Sequence, residues 1–216
     1  MPLYIFNVFL IKYNDMKKKG MIIIVSAPSG AGKTSICDAL IKNDKNIVYS
    51  VSTTTRKART GEKNGREYFF VDDDTFKSMV KKNMFVEWAK VHDHFYGTSK
   101  KVLEDTINKG KDILLDIDVQ GALKIKKQYK DVLMIFITTP TLKILKERLI
   151  KRNKDSLSVI KTRLNNAKKE LTYLPKYDYL ILNDKLDKSI ENVKAVISAE
   201  RLSIKRNKNI FGGNLK

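Results

Sequence analysis

Eight consecutive residues carry the most specific chemistry in the sequence: Ala27-Pro28-Ser29-Gly30-Ala31-Gly32-Lys33-Thr34. They fit the phosphate-binding Walker A pattern, with Ala27 where that pattern has its first glycine. Gly30 and Gly32 let the backbone curl so that several N–H groups point into one concavity and hold phosphate oxygens. A helix opening at Lys33 adds the positive end of its dipole. Lys33 has the reach to touch the β and γ phosphates of a nucleoside triphosphate, and the Thr34 hydroxyl can ligate the accompanying Mg²⁺. Alanine at position 27 is a mild departure provided that the position needs no positive φ.

Other groups with chemical potential are less specific. Asp116 and Asp118 follow an apolar run, where a carboxylate reaches the metal shell or the substrate; for Asp116 a strand-end cap is the plain alternative. Cys37 lies one turn into the helix after the phosphate loop, and nothing nearby marks it as activated, so it reads as a small packing residue. His92-Asp93-His94 offers two histidines without a third ligand at suitable spacing, which falls short of a metal site. Trp88 reads as core.

The elements that must position these groups alternate regularly. Apolar runs at 21–25, 113–115, 132–137 and 179–182 predict buried parallel strands. Helix patterns fill the intervals: 33–42, 99–109 (stopping at Gly110, suited to the left-handed position beyond a helix end), 119–129, 141–150 (after Pro140), 158–173 and 186–204. This order predicts an α/β fold, a doubly wound parallel sheet with helices on both faces. Residues 52–98 break the rhythm, with Tyr68-Phe69-Phe70-Val71, a short helix after Asp72, and an apolar run over 85–91; they predict a small, partly β insertion.

The chain has 216 residues, 42% of them hydrophobic, enough for one sizeable core. No stretch reaches the roughly 18 to 20 apolar residues of a membrane helix. Residues 1–11 are apolar apart from Asn7 but lack a basic leader and a small-residue cleavage site. Met16 and Met21 are alternative starts, so residues 1–20 are expected to be a dispensable extension, disordered or untranslated. The polar end, from about Arg206 through 207–216, is expected to be loose. The net charge of +19 comes mostly from lysines scattered over helix faces rather than clustered with aromatics, which argues against a specific nucleic-acid surface. A single cysteine excludes an intramolecular disulfide and fits a reducing cytoplasm.

A phosphate loop implies triphosphate binding without saying what is done with it. The order Ser52-Thr53-Thr54-Thr55-Arg56, then Arg59, Gly61-Glu62, Gly65 and Glu67-Tyr68-Phe69-Phe70-Val71 resembles guanylate kinase. The resemblance continues through Phe85-Val86-Glu87-Trp88-Ala89, Tyr96-Gly97-Thr98, Asp116-Ile117-Asp118-Val119-Gln120-Gly121, Arg148, Arg152, Arg163 and Asn183-Asp184, covering most of the chain from Met21 to about Arg201. It implies ATP:GMP phosphotransfer with Mg²⁺, ATP on residues 27–34, and a single domain over 21–206. It further implies that Arg56, Arg59, Tyr68 and Tyr96 hold the acceptor phosphate, and that Ser52, Glu87, Thr98 and Asp118 surround the base. A carboxylate beside a hydroxyl suits guanine, with Glu87 accepting from N1–H and N2–H₂ while Thr98 donates to O6. By the same resemblance, residues 149–163 form a lid, and Arg148, Arg152 and Arg163 neutralise charge on the transferring phosphoryl group. Three rival readings are another small-molecule kinase, a non-catalytic protein-binding module of this family, and charge-driven nucleic-acid binding. The insertion argues against the first, the intact Gly30, Gly32, Lys33 and Thr34 against the second. Oligomeric state is not legible.

Overall fold

The computed structural model describes residues 19–91, 93–151 and 156–207. The apolar run after Met21 becomes β1 (Ile22–Ser26), buried along its whole length. It is the centre of a five-stranded sheet, between β7 (Asp112–Asp116) and β8 (Val132–Thr138), with β2 (Ile47–Tyr49) and β9 (Tyr179–Leu182) at the edges. Every pairing in this sheet is parallel. Alternation sends Ile23, Val25, Leu114, Leu133 and Ile135 to one face, against α1 (Lys33–Asn43) and α7 (Leu186–Leu202). Ile22, Ile24, Ile113, Leu115 and Met134 go to the other, against α3 (Lys100–Asn108) and α4 (Val119–Gln128). Both faces are covered, so these strands are apolar at consecutive positions.

The edge strand β2 has no counterpart among the sequence expectations. It is three residues long with one buried position, too short to stand out as an apolar run. The helix after β7 ends at Gln128, and Gly110 closes α3 with φ 77°. The long C-terminal helix stops at Leu202, and α8 (Ile204–Asn207) follows it. There Arg206, only 6% exposed at its side chain, pairs with Asp131 at 2.7 Å and Glu200 at 3.2 Å, so the expected loose end does not include it. Arg201 ties α7 to the sheet through Asp112 and Asp44, while Asp112 also accepts the Met21 N–H at 2.8 Å.

Between β2 and α3 the chain builds a second sheet, in the order β4 (Phe69–Phe70), β3 (Thr53–Thr54), β6 (His94–Ser99), β5 (Phe85–Val91). Helix α2 (Asp73–Lys81) starts where Asp72 accepts the Thr75 N–H at 2.7 Å, and it buries Phe76 between Phe85 and Phe95. Trp88 is not core. Along β5, Glu87 and Ala89 face inward, so Trp88 turns outward and stays 39% exposed, edge-on to Phe95 and under the Lys124 ammonium. Helices α5 (Leu142–Lys151) and α6 (Leu157–Leu171) pack Leu145, Leu149, Ile160 and Ala167 against Ala31, which seats this helix pair on the phosphate loop.

Candidate active site

The phosphate loop joins β1 to α1. Gly30 and Gly32 both have φ 92°, and Ala27 is not among the residues with positive φ, so the condition for alanine at that position is met. Gly32 is doubly constrained: a Cβ there would lie 2.3 Å from Asn183 Nδ2. That amide donates to the Ala31 carbonyl at 2.7 Å, fixing the loop from the end of β9. Ser29 accepts a 2.9 Å hydrogen bond from Arg163 Nη1 of α6. Thr34 is exposed in the first turn of α1, where its hydroxyl is open to a ligand. Lys33 forms an ion pair with Asp116 at the end of β7. Burial works against the Lys33 charge, but the Asp116 carboxylate outweighs it and lifts the ammonium to about 12, so it is cationic at any physiological pH.

Facing the loop, a pocket of about 150 Å³ is lined by Lys33, Ser52, Tyr68, Glu87, Tyr96, Asp116 and Asp118, together with Ala89, Val91 and Ile117. The second sheet explains why these side chains meet. Glu87 lies opposite Thr98 and Ala89 opposite Tyr96 in the β5–β6 ladder, and partners in register share a face. Thr98 is fully buried, and its hydroxyl donates to Glu87 Oε1 at 2.6 Å. Burial pushes the Glu87 carboxyl up to about 7; the Thr98 hydrogen bond opposes the rise, and the charge of Asp118 adds to it. Asp118 caps α4, accepting the Gly121 N–H at 2.8 Å, so one of its oxygens is already committed.

Tyr96 also borders a second cleft, of about 510 Å³, whose walls are Arg56, Arg59 and His94 on one side and Ser158, Val159, Thr162 and Arg163 of α6 on the other. Tyr68 packs edge-on to Tyr96, with ring centroids 5.9 Å apart, and the Arg56 guanidinium lies 5.3 Å from the Tyr68 centroid. Apart from the buried Thr98, the sequence-derived acceptor residues therefore line two cavities that share Tyr96 as a wall. Arg148 stands apart from both and donates to the Asp184 carbonyl at 3.0 Å. Arg152 lies outside the described residues, as does His92.

Three residues matter here that the sequence reading had not given a role. Glu62 binds Arg56 at 2.8 Å and accepts the Arg59 N–H at 2.7 Å, so one carboxylate sets both arginines. Its only signal was the Gly61-Glu62 step between them. Asn183 fixes the phosphate loop across 152 residues of sequence separation, which no local pattern can reveal. Glu170 of α6 has its carboxyl pushed up to about 7 by burial, with Lys33 opposing and Asp118 reinforcing the shift. In sequence it is one more charge in a charged helix.

A parallel sheet ending in a phosphate loop, with an inserted sheet that holds a lined pocket against that loop, defines a P-loop nucleoside monophosphate kinase. The family model described as guanylate kinase matches residues 19–200. Guanylate kinase from Caldanaerobacter subterraneus is 43% identical over 197 residues, covering 91% of this chain and 96% of that protein. The Rickettsia felis guanylate kinase is 45% identical, covering 86% of this chain and 97% of that protein. A crystal structure of guanylate kinase from Anaplasma phagocytophilum superposes with a TM-score of 0.74 at 35% identity, covering 88% of this chain and 91% of that one. The chain belongs to the guanylate kinase family.

Proposed function

We propose that this enzyme transfers the γ-phosphoryl group of MgATP to GMP, or dGMP, giving ADP and GDP. The observation that carries the reading is the buried Glu87–Thr98 pair in a pocket that the phosphate-loop lysine also lines. Guanine offers adjacent N–H donors that a carboxylate accepts, and a base held there directs its phosphate toward Tyr68, Tyr96, Arg56 and Arg59. Residues 27–34 hold the donor phosphates. The acceptor phosphate oxygen attacks the γ-phosphorus in line, and the bond to the β–γ bridging oxygen breaks as ADP leaves. Catalysis comes from positioning and charge neutralisation. Arg163, fixed to Ser29 of the loop, stands where it can neutralise the transferring group, with Arg148 and Arg152 assigned the same task.

The donor set fits Mg²⁺ carried in with the nucleotide. Among the described residues no group of three or more His, Cys, Asp or Glu forms a metal cage, and Mg²⁺ is commonly held by one or two protein oxygens plus substrate phosphates. Thr34 would hold it, with Asp116 adjacent through Lys33, and the ion would supply neutralisation of the donor phosphate charge there. No described helix is long and apolar enough to cross a membrane. We place the enzyme in the cytoplasm on its single, buried cysteine, and we assign the high net charge to attraction of polyanionic nucleotides rather than to specific nucleic-acid binding.

The test is ADP release with GMP, AMP, UMP and dTMP as acceptors. GMP turnover at least three orders of magnitude above the others, in kcat/KM, is expected; equal use of AMP removes the assignment. The pH dependence is specific too. Glu87 must be ionised to accept two N–H donors, and its carboxyl titrates near 7 in the free enzyme. From pH 8 to pH 6, KM for GMP therefore rises about tenfold from this group alone, since each pH unit below the titration point reduces the competent fraction about tenfold. In Glu87→Gln that component disappears.

A further inference from the structure

The face of β6 that carries Thr98 and Tyr96 also carries His94, because residues two apart in a strand share a side. The cross-strand register continues the same face: Glu87 pairs with Thr98, Ala89 with Tyr96 and Val91 with His94. Glu87, Ala89, Val91 and Tyr96 all line the base pocket, so the direction of this face is fixed independently of His94. His94 sits one step beyond Tyr96, about 7 Å further along the strand. There it becomes part of the wall of the larger cleft, beside Arg56 and Arg59 and across from Arg163. Among the described residues no aspartate or glutamate lines that cleft: its charged walls are three arginines, its neutral polar walls Tyr96, Ser158 and Thr162. Among the described residues no side-chain hydrogen bond or ion pair occupies the imidazole. An imidazole always has at least one N–H to give, whether neutral or protonated. A donor with no partner among the described residues, on the site's own face, in a cleft that three arginines and three hydroxyls also line, is suited to an anion.

We propose that His94 is a substrate-contacting residue that donates a hydrogen bond to the phosphate of the acceptor nucleotide, completing the set formed by Arg56, Arg59, Tyr68 and Tyr96. The inference rests on the assignment of this site to a nucleoside monophosphate. Its role is in binding rather than base choice, since it lies at the opposite end of the strand from the Glu87–Thr98 pair.

The experiment has kinetic and spectroscopic arms, both on the full chain. Turnover of GMP by the wild type is measured first; its absence would remove the site assignment, and this inference with it. With turnover established, His94→Ala should raise KM for GMP and for AMP by about tenfold each, the loss expected for a hydrogen bond to a charged group. KM for ATP should stay unchanged and kcat should fall less than threefold. His94→Asn, which keeps a side-chain N–H donor, should recover most of the lost affinity. The chain has two histidines, so the His94 ring signal is assigned by its loss in His94→Asn. That signal should shift on addition of GMP and stay in place with guanosine, which has the base and sugar without the phosphate. An unchanged KM for GMP in His94→Ala overturns the proposal. So does an equal rise in KM for ATP, or a ring signal that responds to guanosine as strongly as to GMP.

Discussion

Lys33→Ala lowers kcat by about 10²- to 10³-fold, the cost of removing one preorganised charge from a transferring phosphoryl group. The ammonium stands in the first turn of α1, held by Asp116, and the neighbouring carboxylate keeps it charged. Lys33→Arg should fare little better than alanine, because a planar guanidinium fork cannot occupy the position of a compact point charge. The fold should survive. Asp116 loses its partner while remaining 16% exposed, so the penalty stays near the roughly 1–3 kcal/mol of a polar group deprived of its hydrogen bond. Donor and acceptor sites belong to different elements but not to separate spaces, since Lys33 also lines the pocket that contains Glu87. GMP affinity, measured by calorimetry, is accordingly expected to change by less than tenfold, against a larger loss for ATP. Equal losses for both nucleotides would mean that Lys33 serves the acceptor as much as the donor.

How far the sequence led differs between the two halves of the site. The strand, glycine turn and helix proposed to hold the donor phosphates were legible because they are contiguous, following one another within Ile22–Asn43. The three central strands, β7, β1 and β8, were legible for the related reason that both their faces are buried, whereas β9 at the edge was legible as an apolar run although Leu180 and Leu182 are exposed. The acceptor residues are scattered from Ser52 to Asp118, and only an ordered family pattern could collect them; periodicity alone could not place Glu87 opposite Thr98. What remained hidden was contact at a distance. Asn183 on the phosphate loop and Arg201 on Asp112 are tertiary bonds with no local signature. Trp88 went wrong for a different reason: size and aromaticity suggested core, whereas strand alternation decides direction, and position 88 is out of phase with the buried Glu87.

The Glu87–Thr98 pair also alters the hydrogen-bond scheme that the family resemblance implied. Thr98 has one hydroxyl hydrogen, and in the structure it goes to Glu87 Oε1 rather than being free for the O6 of guanine. Thr98 is thus a positioning residue for the carboxylate, and it donates to O6 only by giving up that bond. The burden of base choice then falls on Glu87, whose carboxylate would meet a lone pair at N1 of adenine.

Wild-type enzyme is therefore expected to prefer GMP over AMP by about 10⁴- to 10⁵-fold in kcat/KM, the range reached when a buried polar site is left unpaired by the wrong substrate. Glu87→Ala should bring the ratio down by at least two of those orders, whereas Arg59→Ala should slow both acceptors and leave the ratio nearly constant. A lost ratio in Arg59→Ala, with none lost in Glu87→Ala, would reverse the two assignments. The same carboxylate carries a cost in stability whose sign is fixed by its titration. Folding raises the Glu87 carboxyl from about 4.5 to about 7, so between those pH values the folded state binds a proton that the unfolded chain does not. Stability falls as pH rises through that window, and above it the folded protein bears the full penalty, roughly 3 kcal/mol at 1.4 kcal/mol per unit. Glu87→Gln removes the charge while keeping an oxygen for the Thr98 hydroxyl and presenting its amide hydrogens toward Asp118. It should therefore raise the denaturation midpoint at pH 8, change it little at pH 4, and abolish the preference for GMP. A destabilised Glu87→Gln at pH 8 would show that the buried charge is compensated in the free enzyme. Stabilisation together with lost selectivity would show that this site holds an unfavourable charge because guanine requires it.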